Sequence, residues 1–216
     1  MKLNLDIPTS LKDITLSQYK RYLKIQENTE SQLFLNAKMI EIFCNANLQE
    51  VMLLKLSDSE QIVKIISALF EEKPRTVKSF TLNKTEYGLH PQLDELSLGE
   101  YIDLDSYIGN WEQMEIAMNV LYRPILVKLK DRYSIEEYDT ETANRLLDMP
   151  MDAVMSSIFF LWNLGLELSK VMMNSLDNQE TTALTQYLSL QKNGVGINQF
   201  MDSLTETLDD LKISLN

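Results

Sequence analysis

The sequence predicts a mainly α fold, a multi-helix bundle with one small β-hairpin near residues 77–89. Three observations carry this expectation. Gly and Pro are scarce, at 6 and 5 of 216 residues, which favours long helices over a turn-rich β architecture. Apolar residues recur at helical spacing along most of the chain. One stretch switches to alternation: Phe80 and Leu82, then Tyr87 and Leu89, set among polar residues around Asn83-Lys84.

Thr15 has the chemistry of an N-cap, and the helix behind it runs to about Glu27 with Leu16, Tyr19, Leu23 and Gln26 on one face. A second helix covers residues 30–45, with Leu33, Ala37, Ile40 and Cys44 in register, and a short one covers 48–54. Ser57 and Glu60 have capping-box spacing. The helix they introduce sets Ile62, Ile65, Ile66, Leu69 and Phe70 on one face, and Pro74 stops it. A two-stranded hairpin is marginal alone, so it must lean on helices. Ser97 is the next N-cap, for a helix to about Ile108. Another helix runs from Asn110 to Tyr122, where Arg123 precedes Pro124 and a residue before proline avoids the helical region. Residues 125–133 read as helical, and Thr140 opens a short helix to Leu147.

Pro150 starts the longest helix, to about Leu176, because proline is well tolerated in a first turn. It is apolar on nearly every side through Phe159, Phe160, Leu161 and Trp162, which predicts a central position. Gly165 in its middle predicts a close neighbouring helix. Its most apolar run, 153–166, is shorter than the ~20 residues that span a bilayer. Asn193-Gly194 breaks the chain, and a last helix over 197–211 aligns Ile197, Phe200, Met201, Leu204, Leu208 and Leu211. A boundary near residue 75 divides an N-terminal helical segment, 1–75, from the hairpin and C-terminal bundle, 76–216, with a single domain as the alternative.

The net charge is -12. An acidic surface repels phosphate backbones and anionic membranes, which argues against nucleic-acid binding and favours a basic partner protein. Solubility alone is the plainer use of such charge. Residues 1–13 lack the long apolar core of a secretory signal. The lone cysteine, Cys44, excludes an internal disulfide and a Cys-based zinc site, and Ile40, Ile42 and Phe43 beside it predict burial. The single histidine, His90, sits in Gly-Leu-His-Pro at a turn, so any Ser-His-Asp or Cys-His arrangement would depend on it. Gly194-Val195-Gly196 precedes a helix but lacks the strand, Lys and Ser/Thr of a phosphate-binding loop.

Between Lys84 and Arg123 there is no Lys or Arg, yet there are the acids Glu86, Asp94, Glu95, Glu100, Asp103, Asp105, Glu112 and Glu115. A calcium loop starting at Asp103 would need Gly where Ile108 stands and Glu where Met114 stands. No catalytic, cofactor-binding or metal-ligating residue is therefore expected, and no enzyme. The acidic run is either a solvated face or a contact surface, with Glu100, Asp103, Asp105, Glu112 and Glu115 as the candidate partner-binding residues. A buried Arg123 needs a carboxylate, and Asp103 or Asp105 is expected to pair with it and clamp two helices. Trp111, Trp162 and most of the eleven methionines are expected in the core.

Three stretches carry a family resemblance. They are Leu98-Gly99-Glu100-Tyr101-Ile102-Asp103-Leu104-Asp105-Ser106-Tyr107 with Trp111 and Ala117-Met118-Asn119-Val120-Leu121-Tyr122-Arg123-Pro124; Phe159-Phe160-Leu161-Trp162-Asn163-Leu164-Gly165 with Glu167-Leu168; and Gly194-Val195-Gly196-Ile197 before Leu208-Asp209-Asp210-Leu211. Together they resemble small helical proteins encoded among the virion genes of tailed bacteriophages, notably crAss-like and marine phages. The resemblance covers residues 80–212, and the first 75 residues match less clearly. It implies a non-enzymatic virion protein, packaged in the particle or bound at the head-tail junction. The alternative it implies is a tail or head assembly chaperone absent from the mature particle. The implied partners are other phage structural proteins, with a homo-oligomer as a further option; the short apolar run predicts no membrane span. The implied location is the virion, and the host cytoplasm during assembly. No catalytic residue or cofactor comes with it.

Overall fold

A computed structural model describes residues 5–130, 132–177, 202 and 204–208. Helix α1 (Leu16–Glu27) begins at a capping box: the Gln18 amide donates to the Thr15 hydroxyl at 3.2 Å, and the Thr15 amide donates to Gln18 Oε1 at 2.9 Å. Helix α2 (Gln32–Phe43) buries Leu35, Ala37, Ile40, Ile42 and Phe43. Leu33, expected in that stripe, is instead 65% exposed. The buried residues of α2 begin at Leu35, and Leu33 in its first turn is left on the rim.

Helices α3 (Leu48–Val51) and α4 (Leu56–Glu71) follow. The start of α4 is not capped as expected. Lys55 occupies the N-cap, and the Ser57 hydroxyl donates to Asp58 Oδ1 rather than meeting the Glu60 turn. Inward α4 presents Ile62, Ile66 and Leu69, and it ends before Pro74.

The expected hairpin is β1 (Ser79–Leu82) and β2 (Thr85–Leu89), turned by Asn83 and Lys84 at φ 50 and 68. It does not stand alone. The sheet has four antiparallel strands in the order β1-β2-β3-β4, adding β3 (Tyr122–Leu129) and β4 (Arg132–Ile135). Residues 125–129 and 132–133, within the stretch 125–133 expected as helix, are therefore strand. Pro124 explains the change: it keeps Arg123 extended and has no amide to give a helix. The chain leaves α6 (Met114–Leu121) directly into β3, where Tyr122, Arg123 and Pro124 oppose Leu89, Gly88 and Tyr87. From Ile125 onward β3 pairs with β4 alone, through an irregularity between Ile125 and Val127, so these strands form an arm of the sheet.

Helix α5 (Leu98–Tyr107) starts at the expected Ser97 cap. The helix expected over 110–122 splits into a 3-10 turn at Trp111–Gln113 and α6, and Thr140–Leu146 is also 3-10. Helix α7 (Met151–Asp177) is central, with Met151, Ala153, Val154, Met155 and Ile158 wholly buried. Gly165 is buried as well.

Where α1 and α7 begin, the chain is sewn together. The Leu16 amide donates to the Met149 carbonyl at 2.9 Å, Ser17 to Leu147 at 2.7 Å, and Met151 to Ile14 at 2.9 Å. One hydrophobic core includes Leu16, Ile40 and Ile66 together with Tyr122, Met155 and Ile158, so it runs across residue 75. Leu204 and Leu208 are fully buried, and Trp162 Nε1 donates to Thr205 Oγ1 at 3.2 Å. That places part of the last apolar stripe inside the molecule. Ile197, Phe200, Met201 and Leu211, and the Gly194-Val195-Gly196 segment, lie outside the described residues.

Candidate functional site

The three acids of the run that lie on α5, Glu100, Asp103 and Asp105, fall on unlike faces of the helix. Glu100 is the third residue of the helix, and its position is set by capping. The Ser97 amide donates to Glu100 Oε2 at 2.8 Å, and the Glu100 amide donates to Ser97 Oγ at 3.3 Å. The other oxygen, Oε1, meets Arg123 Nη2 at 2.9 Å. Both side chains are buried, 8% and 7% exposed. Arg123 is thus paired with Glu100, not with Asp103 or Asp105. The clamp also joins a helix to strand β3 rather than two helices. Asp103, one turn on from Glu100, is occupied by Tyr138, whose hydroxyl donates to its Oδ2 at 2.6 Å. Asp105 turns to the exposed side.

Electrostatics follow from this packing. Burial opposes ionisation of Glu100, but the Ser97 hydrogen bonds and the Arg123 charge outweigh it and hold the carboxyl below its ordinary value. Burial and the Asp103 hydrogen bond both push the Tyr138 phenol up. Its ring lies 6.0 Å from the Arg123 guanidinium carbon. Arg123 Nε is buried without a hydrogen-bond partner. Burial, then the charge of Arg123, lowers the His90 pKa, and the imidazole Nδ1 accepts from the Gln92 amide at 3.2 Å.

The other candidates scatter. Glu115 is ion-paired with Lys20. Glu112 is exposed and borders a groove of about 450 Å³ with Lys20, Arg21, Lys24 and Trp111. So Glu100, Asp103 and Glu115 have internal partners, and only Asp105 and Glu112 face solvent. Trp111 is half-buried and packs edge-on against Tyr19, with centroids 4.8 Å apart.

What the outer surface offers is apolar. On α5, Leu98, Tyr101 and Ile102 are 75%, 52% and 51% exposed. Leu126, Val127 and Leu129 are exposed on the arm. Leu33, Met52, Leu53 and Leu56 form a third exposed set around α2, α3 and α4. None was singled out as a site from sequence. The signal was present at α5, where Leu98 and Ile102 stand at helical spacing opposite Glu100 and Leu104.

The lone cysteine and the lone histidine are both perturbed by burial. Burial, then the charge of Asp6, pushes the Cys44 thiol up to about 11, and His90 is tied as above. Among the described residues, no three of His, Cys, Asp and Glu come together as a group that could hold a metal ion. No helix among them is long and apolar enough to cross a membrane. A groove of about 900 Å³ lies between sheet and α7 residues, lined by Lys78, His90, Arg132, Tyr133, Phe160 and Leu164 among others. No protein-family model, curated protein or solved structure matches the chain.

Proposed function

We propose that the chain is a non-enzymatic structural protein of a tailed bacteriophage particle, packaged within it or bound at the head-tail junction, and that it acts through protein-protein contacts. The observation that carries the contact part is the set of large apolar side chains facing solvent on separate elements: α5, the β3–β4 arm and the α3–α4 corner. Such side chains mark binding surfaces when they cluster. The buried Cys44, its thiol pushed up to about 11, supports the non-catalytic part. The phage setting rests on the resemblance of residues 80–212 to virion-gene proteins. Mass spectrometry of purified particles tests it: the expected result is a fixed copy number per particle.

A second reading is an assembly chaperone that binds a tail or head protein and then departs. The arm favours it, because a hairpin with exposed Leu126, Val127 and Leu129 can hold an extended client segment by strand addition. Abundance in infected cells combined with absence from mature particles selects this reading over the first.

A further inference from the structure

We propose that the outer face of α5 docks the β3–β4 arm of a second copy of this chain. It deepens the protein-binding reading and rests on it for the two surfaces, but not on the phage setting. The two surfaces complement each other in kind and in charge. Leu98, Tyr101 and Ile102 stand at i, i+3 and i+4, so they form one strip of α5, and the exposed Asp105 continues it. The preceding turn adds the exposed Glu95. No Lys or Arg occurs anywhere from residue 85 to residue 122, so nothing on α5 or its flanks compensates these acids from within the segment.

The arm is the opposite. Leu126, Val127 and Leu129 are exposed beside Lys128, Lys130 and Arg132, and the sequence of the arm sets these three bases against one acid, Asp131. Lys128 is paired with Glu86, while Lys130 and Arg132 have no ion pair among the described residues. An apolar strip edged with acids thus has its counterpart, apolar residues edged with bases, elsewhere on the same molecule. The third exposed set, Leu33, Met52, Leu53 and Leu56, is flanked in sequence by charges of both signs, Lys55 and Asp58, which makes it the control.

The strip is held firmly enough to act as a docking face. Glu100 and Asp103 on the inner side of α5 are fixed by Arg123 and Tyr138, so its outer side has one orientation. If the contact is not reciprocal, it runs head to tail and generates rings or filaments.

Sedimentation velocity on the purified full chain tests this. Wild type is expected to self-associate with rising concentration, less so in high salt. Ile102→Asp and Val127→Asp should each weaken association at least ~10-fold. Both side chains are exposed, and thermal unfolding verifies that the variants fold. An equimolar mixture of the two should associate again, because one contributes an intact arm and the other an intact strip. Leu53→Asp should behave as wild type. A wild type that stays monomeric at every concentration overturns the proposal. So does a mixture that fails to associate, or a Leu53→Asp variant as impaired as Ile102→Asp. Those results leave the particle measurement untouched, and a missing particle protein leaves the self-association measurement untouched.

Discussion

Truncating Arg123 to Ala would leave the Glu100 carboxylate buried with only Ser97 to satisfy it. Breaking a buried pair from one side costs about 3–5 kcal/mol, and urea unfolding of the variant should show a loss of that size. Replacing both Glu100 and Arg123 with Met should cost less than Arg123→Ala alone, since no charge is stranded. The pair also sets a pH response. Because the Glu100 carboxyl is depressed in the fold, its contribution is present above the ordinary carboxylate pKa of about 4.3 and is lost as pH falls through the folded value. Glu100→Gln should therefore flatten the acid limb of stability against pH. Cys44 gives a third check. With its thiol pushed up to about 11 and buried, it should react with a disulfide reagent at pH 8 only as fast as the fold opens. Rapid labelling of the native protein would show the thiol to be accessible.

At the scale of elements, Gly88 is the position most sensitive to a single added atom. A Cβ there would meet Tyr133 Cε2 at 2.5 Å and Ile125 Cγ1 at 2.9 Å. Those two side chains come from the arm, so Gly88→Ala should push the arm from β2 and destabilise by about 1–3 kcal/mol in thermal unfolding. The arm is also where sequence reasoning fell short. The N-caps at Thr15 and Ser97 and the Asn83-Lys84 turn are local signals, readable from a few residues, and each one appears in the fold. The strands after Pro124 have no such signal. Ile125-Leu126-Val127-Lys128-Leu129 suits helix or strand, and pairing decides between them: residues 122–124 join β2, more than thirty residues away, and residues 125–129 join β4. At α4 the local signal misled, because the chain enters the helix two residues ahead of Ser57.

For the molecule as a whole, one core draws on both sides of residue 75 and reaches Leu204 and Leu208. Deleting residues 202–216 would uncover the part of α7 those leucines contact, and each buried leucine removed typically costs about 2–5 kcal/mol. Such a chain should lose its cooperative unfolding transition, measured by circular dichroism. The candidate site was legible only in part at this scale. A buried Arg123 with a carboxylate follows from the cost of burying a lone guanidinium, but the choice of Glu100 over Asp103 depends on where α5 sits against β3. The acids expected to meet a partner mostly have internal ones, because a fold this acidic still places Lys20, Arg123 and Tyr138 where they can use them.

The three hydrogen bonds between Ile14–Ser17 and Leu147–Met151 have a bearing on how the protein is made. At synthesis rates of 5–20 residues per second, the ribosome delivers the second half of this stitch roughly 10 s after the first. Until then α1 has a capped start but no strand-like anchor, and the Leu16 amide waits for the Met149 carbonyl. The nascent N-terminal third therefore reaches its final shape only when most of the chain has emerged, which places its commitment to the fold late in translation.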